Sequence, residues 1–180
     1  QLTSFNNPKG RCYAIAVLAA WDDAHILIVE RSVAELLCTR LRMYILRAKA
    51  TVEVANDLAV SGHHASSAPA PSTIGALGAA LGDGRLRIGY PGDRELVLGP
   101  LTKAAPLADG STAWRLADIA AGVPTVVAET VEHFVPLWLG LERARHFVAG
   151  DLDAGEIIVV AHAAHPEAAL AQRLLGPLDR

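Results

Sequence analysis

The sequence of 180 residues predicts an α+β fold built from two β–α modules in succession. Apolar runs on either side of residues 22–23, and again on either side of residues 91–93, predict two β-hairpins. Apolar residues at three- and four-residue spacing after Ser32 predict an amphipathic helix. The order strand, helix, strand, strand, helix recurs loosely in the first two thirds of the chain, which favours packed α+β modules over a doubly wound parallel sheet.

The first module begins with predicted strands at residues 11–20 and 25–30, joined by an Asp-containing turn. Ser32 is predicted to cap the helix that follows, with Glu35 completing a capping box. A strand is predicted at residues 51–54, where apolar and polar residues alternate. The buried face of the helix is predicted to consist of Val33, Leu36, Leu37, Leu41, Tyr44 and Ile45.

The second module is predicted to open with a short strand at residues 58–62 and a loop at 63–71. Ser72 is expected to cap a helix running to Leu81, although two glycines weaken it. Strands are predicted at 86–90 and 94–98, and a helix from residue 111 or 112 to 121. Further on, the pattern predicts a helix over 130–141 interrupted at Pro136, a strand at 156–160 and a helix at 167–175.

Composition excludes several classes of function. The chain has 16 Lys and Arg against 19 Asp and Glu, so it lacks the net positive charge of an electrostatic nucleic-acid binder. Its longest apolar run, residues 13–21, is far shorter than the roughly 20 residues of a membrane helix. Two cysteines are too few for a disulfide scaffold and suit a reducing compartment, so we expect a cytoplasmic protein. From the charge and the short apolar run, we expect that it binds neither nucleic acid nor a membrane directly.

Four histidines have spacings that resemble a metal site, namely the pair His162 and His165 and the adjacent pair His63 and His64. Structural zinc requires three or four ligands, and no cysteine pair supports one here, so surface histidines are the default interpretation and no metal is predicted.

Gly75, Gly78 and Gly82 match neither nucleotide-binding fingerprint. Cys12 and Cys38 are interpreted as small buried residues, since Arg11 would project to the opposite side of the strand from Cys12. No catalytic residue is predicted.

Two segments stand out as candidate binding sites. Residues 6–11 place an amide and two cations at the entry to an apolar strand, which is suited to an anionic or heteroaromatic ligand but is also compatible with a solvated turn. Residues 87–93 form a predicted strand that ends in an aromatic residue and a tight turn, where an ordinary hairpin is the alternative.

These segments, in their order, resemble the YgfZ/GcvT-like folate-binding family, which includes the glycine-cleavage aminomethyltransferase and YgfZ-type iron–sulfur factors. Residues 1–3 resemble the end of its G-Q-[LV]-T segment, and residues 7–11 resemble its N/S-P-K-G-R strand entry. The most specific match is residues 40–52, which are similar to R-L-x-M-[FY]-V-L-R-[AS]-K-V-T. Residues 88–92 resemble a G-Y-x-G turn, and residues 120–124 and 134–136 resemble E-A-G-I-P and F-[IV]-P.

Differences from the family favour the YgfZ branch. The acidic positions of the aminomethyltransferases correspond to Ala14, Ile15 and Val97 here, none of which can act as a general acid or base. A folate-dependent aminomethyltransferase-like one-carbon transferase therefore stays the alternative, using other acids such as Asp93 or Glu95.

The K-G-C-Y-x-G-Q-E string of the YgfZ branch is also missing, and residues 150–156 overlie it without its cysteine. Three explanations for the missing string stay open: an omitted stretch of sequence, a true deletion or a divergent paralogue.

The resemblance implies two ferredoxin-like βα modules, residues 1–57 and 58–141, around a central folate pocket. It implies that residues 142–180 are a remnant of a small C-terminal β-barrel, or a tail. The implied function is tetrahydrofolate binding by a monomer that supports iron–sulfur cluster assembly or repair and tRNA modification, with iron–sulfur proteins as partners. A protein that binds partners but has lost the pocket is a third interpretation. The residues implied to hold tetrahydrofolate are Asn7, Lys9, Arg11, Tyr90 and Arg115.

Overall fold

The computed structural model describes residues 1–45, 49–64, 79–101, 111–141, 145–146 and 154–162. They form two β-sheets and two α-helices, so the predicted α+β class is confirmed. The strands, in chain order, are β1 (Leu2–Asn6), β2 (Cys12–Trp21), β3 (Ala24–Glu30), β4 (Lys49–Ala55), β5 (Leu58–His64), β6 (Ala79–Gly82), β7 (Arg85–Tyr90), β8 (Arg94–Pro100), β9 (Arg145–His146) and β10 (Ala154–His162). The helices are α1 (Arg31–Tyr44) and α2 (Ser111–Ala121).

The first sheet has six strands in the order β4-β10-β3-β2-β1-β9. The first three strands of the chain form an antiparallel meander, in which Asp22 takes a positive φ of 51° in the turn between β2 and β3. Residues 12–17 of β2 are buried without alternation, so both faces of this strand are covered. Each predicted strand of the first module is present: the one predicted at 11–20 is shifted by one residue, and those predicted at 25–30 and 51–54 are longer by one and three residues.

Strand β10 lies inside the first sheet, parallel to both β3 and β4. Val159 is fully buried there, between Leu27 and Val54 in register. The units β3, α1 and β4 thus form a split β–α–β arrangement whose gap is filled by a strand from far along the chain. The strand predicted at 156–160 is confirmed, but it joins the first sheet, and the described residues form no closed barrel.

Helix α1 differs from its prediction in its cap. The N-cap is Glu30, whose carboxylate accepts hydrogen bonds from the backbone N–H (2.7 Å) and the hydroxyl of Ser32. Because β3 runs into the helix without a loop, the last strand residue occupies the capping position, and the predicted capping box of Ser32 with Glu35 is wrong. The Ser32 hydroxyl oxygen accepts instead from the backbone N–H of Ala128 at 3.0 Å.

The buried face of α1 agrees with the predicted spacing over its first three turns. It consists of Val33, Ala34, Leu37, Cys38 and Leu41. Tyr44 was predicted to be buried but is exposed, together with residues 42 and 43, because the last turn of the helix stands clear of the core.

The second sheet is antiparallel, in the order β5-β8-β7-β6. The chain passes from the first sheet to the second between residues 55 and 58. Residues 79–81, predicted as the end of a helix, form β6. An Asp83-Gly84 turn with positive φ at both residues pairs β6 with β7, and this is the residue pair that a tight hairpin requires. The rest of that predicted helix, residues 72–78, lies outside the described residues.

Helix α2 has the predicted bounds and ends where Gly122 adopts a φ of +68°. The helix predicted over 130–141 is wrong: two short 3₁₀ turns, Ala128–Thr130 and Pro136–Leu139, take its place, because Pro136 can only start a helical turn. The helix predicted at 167–175 falls outside the described residues. In the described part of the chain no helix has the length and apolar character needed to cross a bilayer.

The position of β10 predicts a large effect of a charge at Val159. Val159→Asp buries an unpaired carboxylate between β3 and β4, so we expect the free energy of unfolding to fall by at least about 3 kcal/mol in urea denaturation followed by circular dichroism. The control is Leu137→Asp, at a residue that is 71% exposed, where the change should stay within about 0.5 kcal/mol. A Val159→Asp protein as stable as wild type would show that residues 154–162 do not lie in this sheet.

Candidate functional site

A cleft lies between the two sheets and is covered on one side by α2. Its cavity volume is about 70 Å³. Strands β1, β2 and β3 supply one wall, and β7, β8, α2 and residues 124–125 supply the other. The lining residues are Leu2, Ile15, Ala16, Val17, Ile28, Val29, Glu30, Tyr90, Leu96, Trp114, Asp118, Pro124 and Thr125. Most of these side chains are apolar, with a few polar groups among them, as is usual for a small-molecule site.

Tyr90 and Trp114 form an aromatic wall of the cleft. Their ring centroids are 5.5 Å apart and their planes are 28° from parallel, which is a stacked arrangement. Trp114 lies directly on the backbone of Gly62 in β5: a Cβ at Gly62 would be 2.5 Å from the indole ring. The absence of a side chain at Gly62 therefore determines where the aromatic wall stands.

Arg94 is a buried cation behind this wall. Its side chain is 1% exposed, and its guanidinium lies over the rings of Tyr90 (5.0 Å to the centroid) and Trp114 (4.3 Å). Nε donates to the carbonyl of Pro91 at 2.9 Å, and Nη1 donates to the carbonyl of Trp114 at 3.2 Å. Nη2 is buried with no hydrogen-bond partner among the described residues. The guanidinium thereby holds α2 against the turn between β7 and β8.

Asp118 is the acidic partner of Arg94. Its Oδ1 lies 2.9 Å from Nη1 of Arg94, so the two side chains form a buried ion pair. Burial raises the pKa of the Asp118 carboxyl, while the charge of Arg94, a hydrogen bond from Arg94 and the charge of Arg115 act in the opposite direction. A carboxyl group that is largely removed from water thus faces an apolar cleft.

Glu30 brings a second carboxyl group to the lining. One of its oxygens is occupied by the N-terminus of α1, as described above. Together with the hydroxyl of Thr125, these side chains make the polar part of the cleft acidic and rich in hydrogen-bond acceptors.

Three of the five predicted folate-binding residues lie in the turn between β1 and β2. The Asn7 Oδ1 accepts from the backbone N–H groups of Lys9 and Arg11, each at 2.9 Å, so Asn7 builds the turn. Arg11 Nη1 donates to the carbonyl of His133 at 2.7 Å, and its guanidinium lies 5.9 Å from the ring centroid of Trp138. Lys9 is exposed.

This turn stands apart from the cleft. Asn7 is five residues beyond Leu2, which lines the cleft, a distance of about 17 Å along a strand. The structure therefore brings Asn7, Lys9 and Arg11 together, at the far end of the hairpin from the aromatic wall.

The other two predicted residues lie at or beside the cleft. Tyr90 lines it, and Arg115 is exposed on α2 next to Trp114. The sequence reasoning missed Arg94, Trp114 and Asp118. A signal was present, because positions 114 and 118 are four residues apart in a predicted helix and so share a face. The arginine at the start of a strand that continues with Leu96, Val97 and Leu98 was a second signal.

The structure also shows where Ala14, Ile15 and Val97 lie, the positions at which the chain differs from the aminomethyltransferases. Ile15 lines the cleft, whereas the cleft lining includes neither Ala14 nor Val97. Glu95, one of the alternative acids, is buried and pairs with Arg87 at 2.8 Å. It follows Arg94 and precedes the cleft residue Leu96, so its side chain projects from the opposite face of β8.

The remaining candidate groups do not form a reactive centre in the described residues. Cys12 and Cys38 are buried, and burial raises the pKa of both thiols, that of Cys12 to about 11. The His63 ring nitrogen lies 2.9 Å from the hydroxyl of Ser61. Among the residues that can be described, no three metal-binding side chains come together; His165 is outside them.

No protein-family model matches the chain, and comparisons with curated proteins and with solved structures find no significant match.

The contact between Gly62 and Trp114 predicts a sensitive position. Gly62→Ala forces the indole ring to move, so we expect a loss of about 1–3 kcal/mol in unfolding free energy and a changed emission of Trp114. The measurement uses a Trp21→Phe, Trp138→Phe background, in which Trp114 is the sole tryptophan. Gly82→Ala is the matched control, since a Cβ there meets nothing within 4 Å. Equal spectra for the two variants would contradict the packing.

The thiols are predicted to be inert in the folded protein. With a pKa of about 11, only roughly one Cys12 thiol in a thousand is ionised at pH 8, and the thiolate is the reactive form. A disulfide reagent such as dithionitrobenzoate should label neither cysteine at pH 8 until denaturant is added, when both should react. Rapid labelling of the folded protein would show that a thiol is exposed or activated.

Proposed function

We propose that this protein binds tetrahydrofolate, as a YgfZ-type factor that supports iron–sulfur cluster assembly or repair and, through it, tRNA modification. The observation that carries the proposal is the cleft between the two modules, with its aromatic wall of Tyr90 and Trp114 and its acidic acceptors. The resemblance of residues 1–3, 7–11, 40–52 and 88–92 to the family's ordered motifs supplies the identity of the ligand.

The chemistry of the cleft suits the ring of a reduced folate. A pterin ring is flat and carries several N–H donors along one edge, so it needs an aromatic or apolar surface and hydrogen-bond acceptors nearby. Tyr90 and the apolar strand residues offer the first, and Glu30, Asp118 and Thr125 offer the second.

The cationic turn suits the other end of the same ligand. A folate ends in a glutamyl group with two carboxylates, and charged hydrogen bonds from Lys or Arg recognise carboxylates well. Lys9 is exposed, while Arg11 donates to the carbonyl of His133 and lies over the ring of Trp138. In this proposal Asn7 shapes the turn, Lys9 and Arg11 attract the polar end of the ligand, and Arg115 adds a further cation near the cleft.

The near-neutral charge bears on the cellular role. With a net charge of −3, a protein that influences tRNA modification is better suited to act through a partner protein or a cluster than through direct contact with RNA. Tetrahydrofolate is the cofactor in this proposal, and the cleft has to accommodate its ring.

Direct titration tests the proposal. We expect calorimetry with tetrahydrofolate, under reducing conditions, to show saturable binding to the wild-type protein. Tyr90→Leu removes one aromatic ring from the wall and should weaken binding about two- to ten-fold. The control is Tyr44→Leu, at an exposed tyrosine on α1, which should bind as wild type does. Thermal unfolding of both variants checks that each is folded.

The outcome that contradicts the proposal is the absence of both heat and a thermal shift with millimolar tetrahydrofolate. Charge reversal at Lys9 and Arg11 separates binding from partner recruitment: wild-type cellular function of that double variant would favour a partner-binding protein that does not use the pocket.

A further inference from the structure

Large apolar side chains are exposed to solvent around the start of β2. In the described residues eight large apolar side chains are more than half exposed, and four of them lie on the last turn of α1 or on the 3₁₀ turn Pro136–Leu139. A cluster of exposed apolar side chains often marks a site of interaction. We call these four residues, with two arginines that adjoin them, the Trp138 surface; its members are Met43, Tyr44, Leu137, Trp138, Arg11 and Arg40.

One half of the Trp138 surface is attached to the start of β2 through the backbone. The N–H of Glu132 donates to the carbonyl of Cys12 at 2.9 Å, and the N–H of Cys12 donates to the carbonyl of Phe134 at 2.8 Å. The Arg11 guanidinium, which lies 5.9 Å from the ring centroid of Trp138, joins the 3₁₀ turn to the same place. Leu137 and Trp138 therefore stand beside residues 11 and 12.

The other half of the Trp138 surface comes from α1, which reaches the same end of β2. The Arg40 guanidinium lies 5.5 Å from the ring centroid of Tyr13, and its Nη2 lies 3.3 Å from the carboxylate of Glu132. Met43 and Tyr44 follow Arg40 by three and four positions, so they continue the same side of the helix. The end of α1 and the 3₁₀ turn thus flank one stretch of chain, residues 11–13.

The residue types of the Trp138 surface are those that protein interfaces favour. Trp, Tyr, Met and Arg are enriched in the buried centre of interfaces, and Trp, Tyr and Arg are the commonest residues to carry binding energy there. Both arginines already lie against aromatic rings, and the N–H of Trp138 donates to the carbonyl of Val135 at 3.0 Å within its turn. A partner that binds here has less conformational freedom to remove from these side chains.

The charge of the Trp138 surface is complementary to an acidic partner. Among the described residues, the one acid paired with its two arginines is Glu132, so the surface has an excess of positive charge in a chain whose net charge is −3. Acidic groups are attracted to such a surface, and basic ones are repelled. An anionic membrane is less well matched, since the basic clusters that bind membranes carry about four to eight Lys or Arg.

We propose that the Trp138 surface is the docking site of a partner protein, and that the partner presents an acidic segment with an apolar or aromatic anchor residue. The anchor packs against Leu137 and Trp138, while carboxylates on either side of it face Arg11 and Arg40. None of the six residues lines the cleft. The inference therefore goes beyond the proposed function and does not depend on the identity of a ligand in the cleft.

Selection of short random peptides displayed on phage tests the chemistry of the partner on the wild-type protein. We expect the selected sequences to be rich in Asp and Glu around a Phe, Trp or Leu. A fluorescein-labelled peptide of the most frequent sequence should bind in an anisotropy titration, and its affinity should fall as the salt concentration is raised. Selection of basic or uncharged sequences, or of none, would overturn the proposal.

Leu137→Asp tests whether such a peptide binds at the Trp138 surface. The variant places a carboxylate among the apolar side chains and beside the arginines, so we expect affinity for the labelled peptide to fall about ten-fold or more. Leu81→Asp is the matched control, because it adds the same charge at an exposed leucine on β6, in the second sheet, and should bind as wild type does. Circular dichroism and thermal unfolding check that both variants are folded.

Arg40→Gln tests the charge separately, since it keeps a long polar side chain and should weaken binding about three- to ten-fold. A peptide that binds folded Leu137→Asp and Arg40→Gln proteins as tightly as wild type would show that it docks elsewhere, and the proposal would be wrong. Sedimentation with vesicles of phosphatidylcholine and phosphatidylserine provides the other arm. Binding to these vesicles that is lost in Leu137→Asp would assign the surface to a membrane instead of a protein.

Titration with tetrahydrofolate keeps this inference distinct from the proposed function. We expect Leu137→Asp to bind tetrahydrofolate as wild type does while it loses the peptide. A wild-type protein that binds the peptide but not tetrahydrofolate overturns the proposed function and supports the docking site. A wild-type protein that binds tetrahydrofolate but selects no acidic peptide overturns the docking site and leaves folate binding intact.

Discussion

The guanidinium of Arg94 is removed from water, so nearby groups have to balance its charge and accept its hydrogen bonds. The elements around it are positioned by these contacts. Asp118 neutralises the guanidinium, two backbone carbonyls accept from it, and the faces of Tyr90 and Trp114 enclose it. These contacts come from β7, from the turn that follows it and from α2. The helix is therefore locked against the sheet in one position, and the wall of the cleft is the outer side of this cluster.

The cleft depends also on two features that are not part of its lining. Gly62 leaves room for the indole of Trp114, which would otherwise be displaced from Tyr90. Strand β10 fills the gap between β3 and β4, so that β3 is held from both sides where it supplies Ile28 and Glu30 to the opposite wall. Apolar packing and one buried ion pair thus produce a cleft whose charged lining residues, among those described, are Glu30 and Asp118.

Much of the local structure could be predicted from the sequence, and the errors have separate physical causes. The hairpin of β2 and β3, the core of α1 and the bounds of α2 follow from spacing and turn residues that act within a few positions of one another. Residues 79–81 were wrongly given to a helix because Asp83-Gly84, a pair suited to a tight hairpin, was overlooked. The cap of α1 was misplaced because the geometry of an uninterrupted strand-to-helix junction moved it to Glu30. Of the site, Tyr90 was predicted at the cleft, whereas Arg94, Trp114 and Asp118 were missed because their importance arises from one another.

The sequence by itself determined the fold class, most of the described strands and both helices, and the cationic turn of Asn7, Lys9 and Arg11. These features depend on hydrophobic periodicity, on glycine and proline conformations and on short-range hydrogen bonds. Each of these involves residues that are close together in the sequence, so it can be predicted from a short segment. Only the tertiary structure decided that residues 154–162 enter the first sheet and that Arg94, Asp118 and the two aromatic rings meet beside a cleft. Those contacts join segments that lie 20 to more than 100 residues apart, and pairing over such distances depends on how the whole core packs, which no local pattern records.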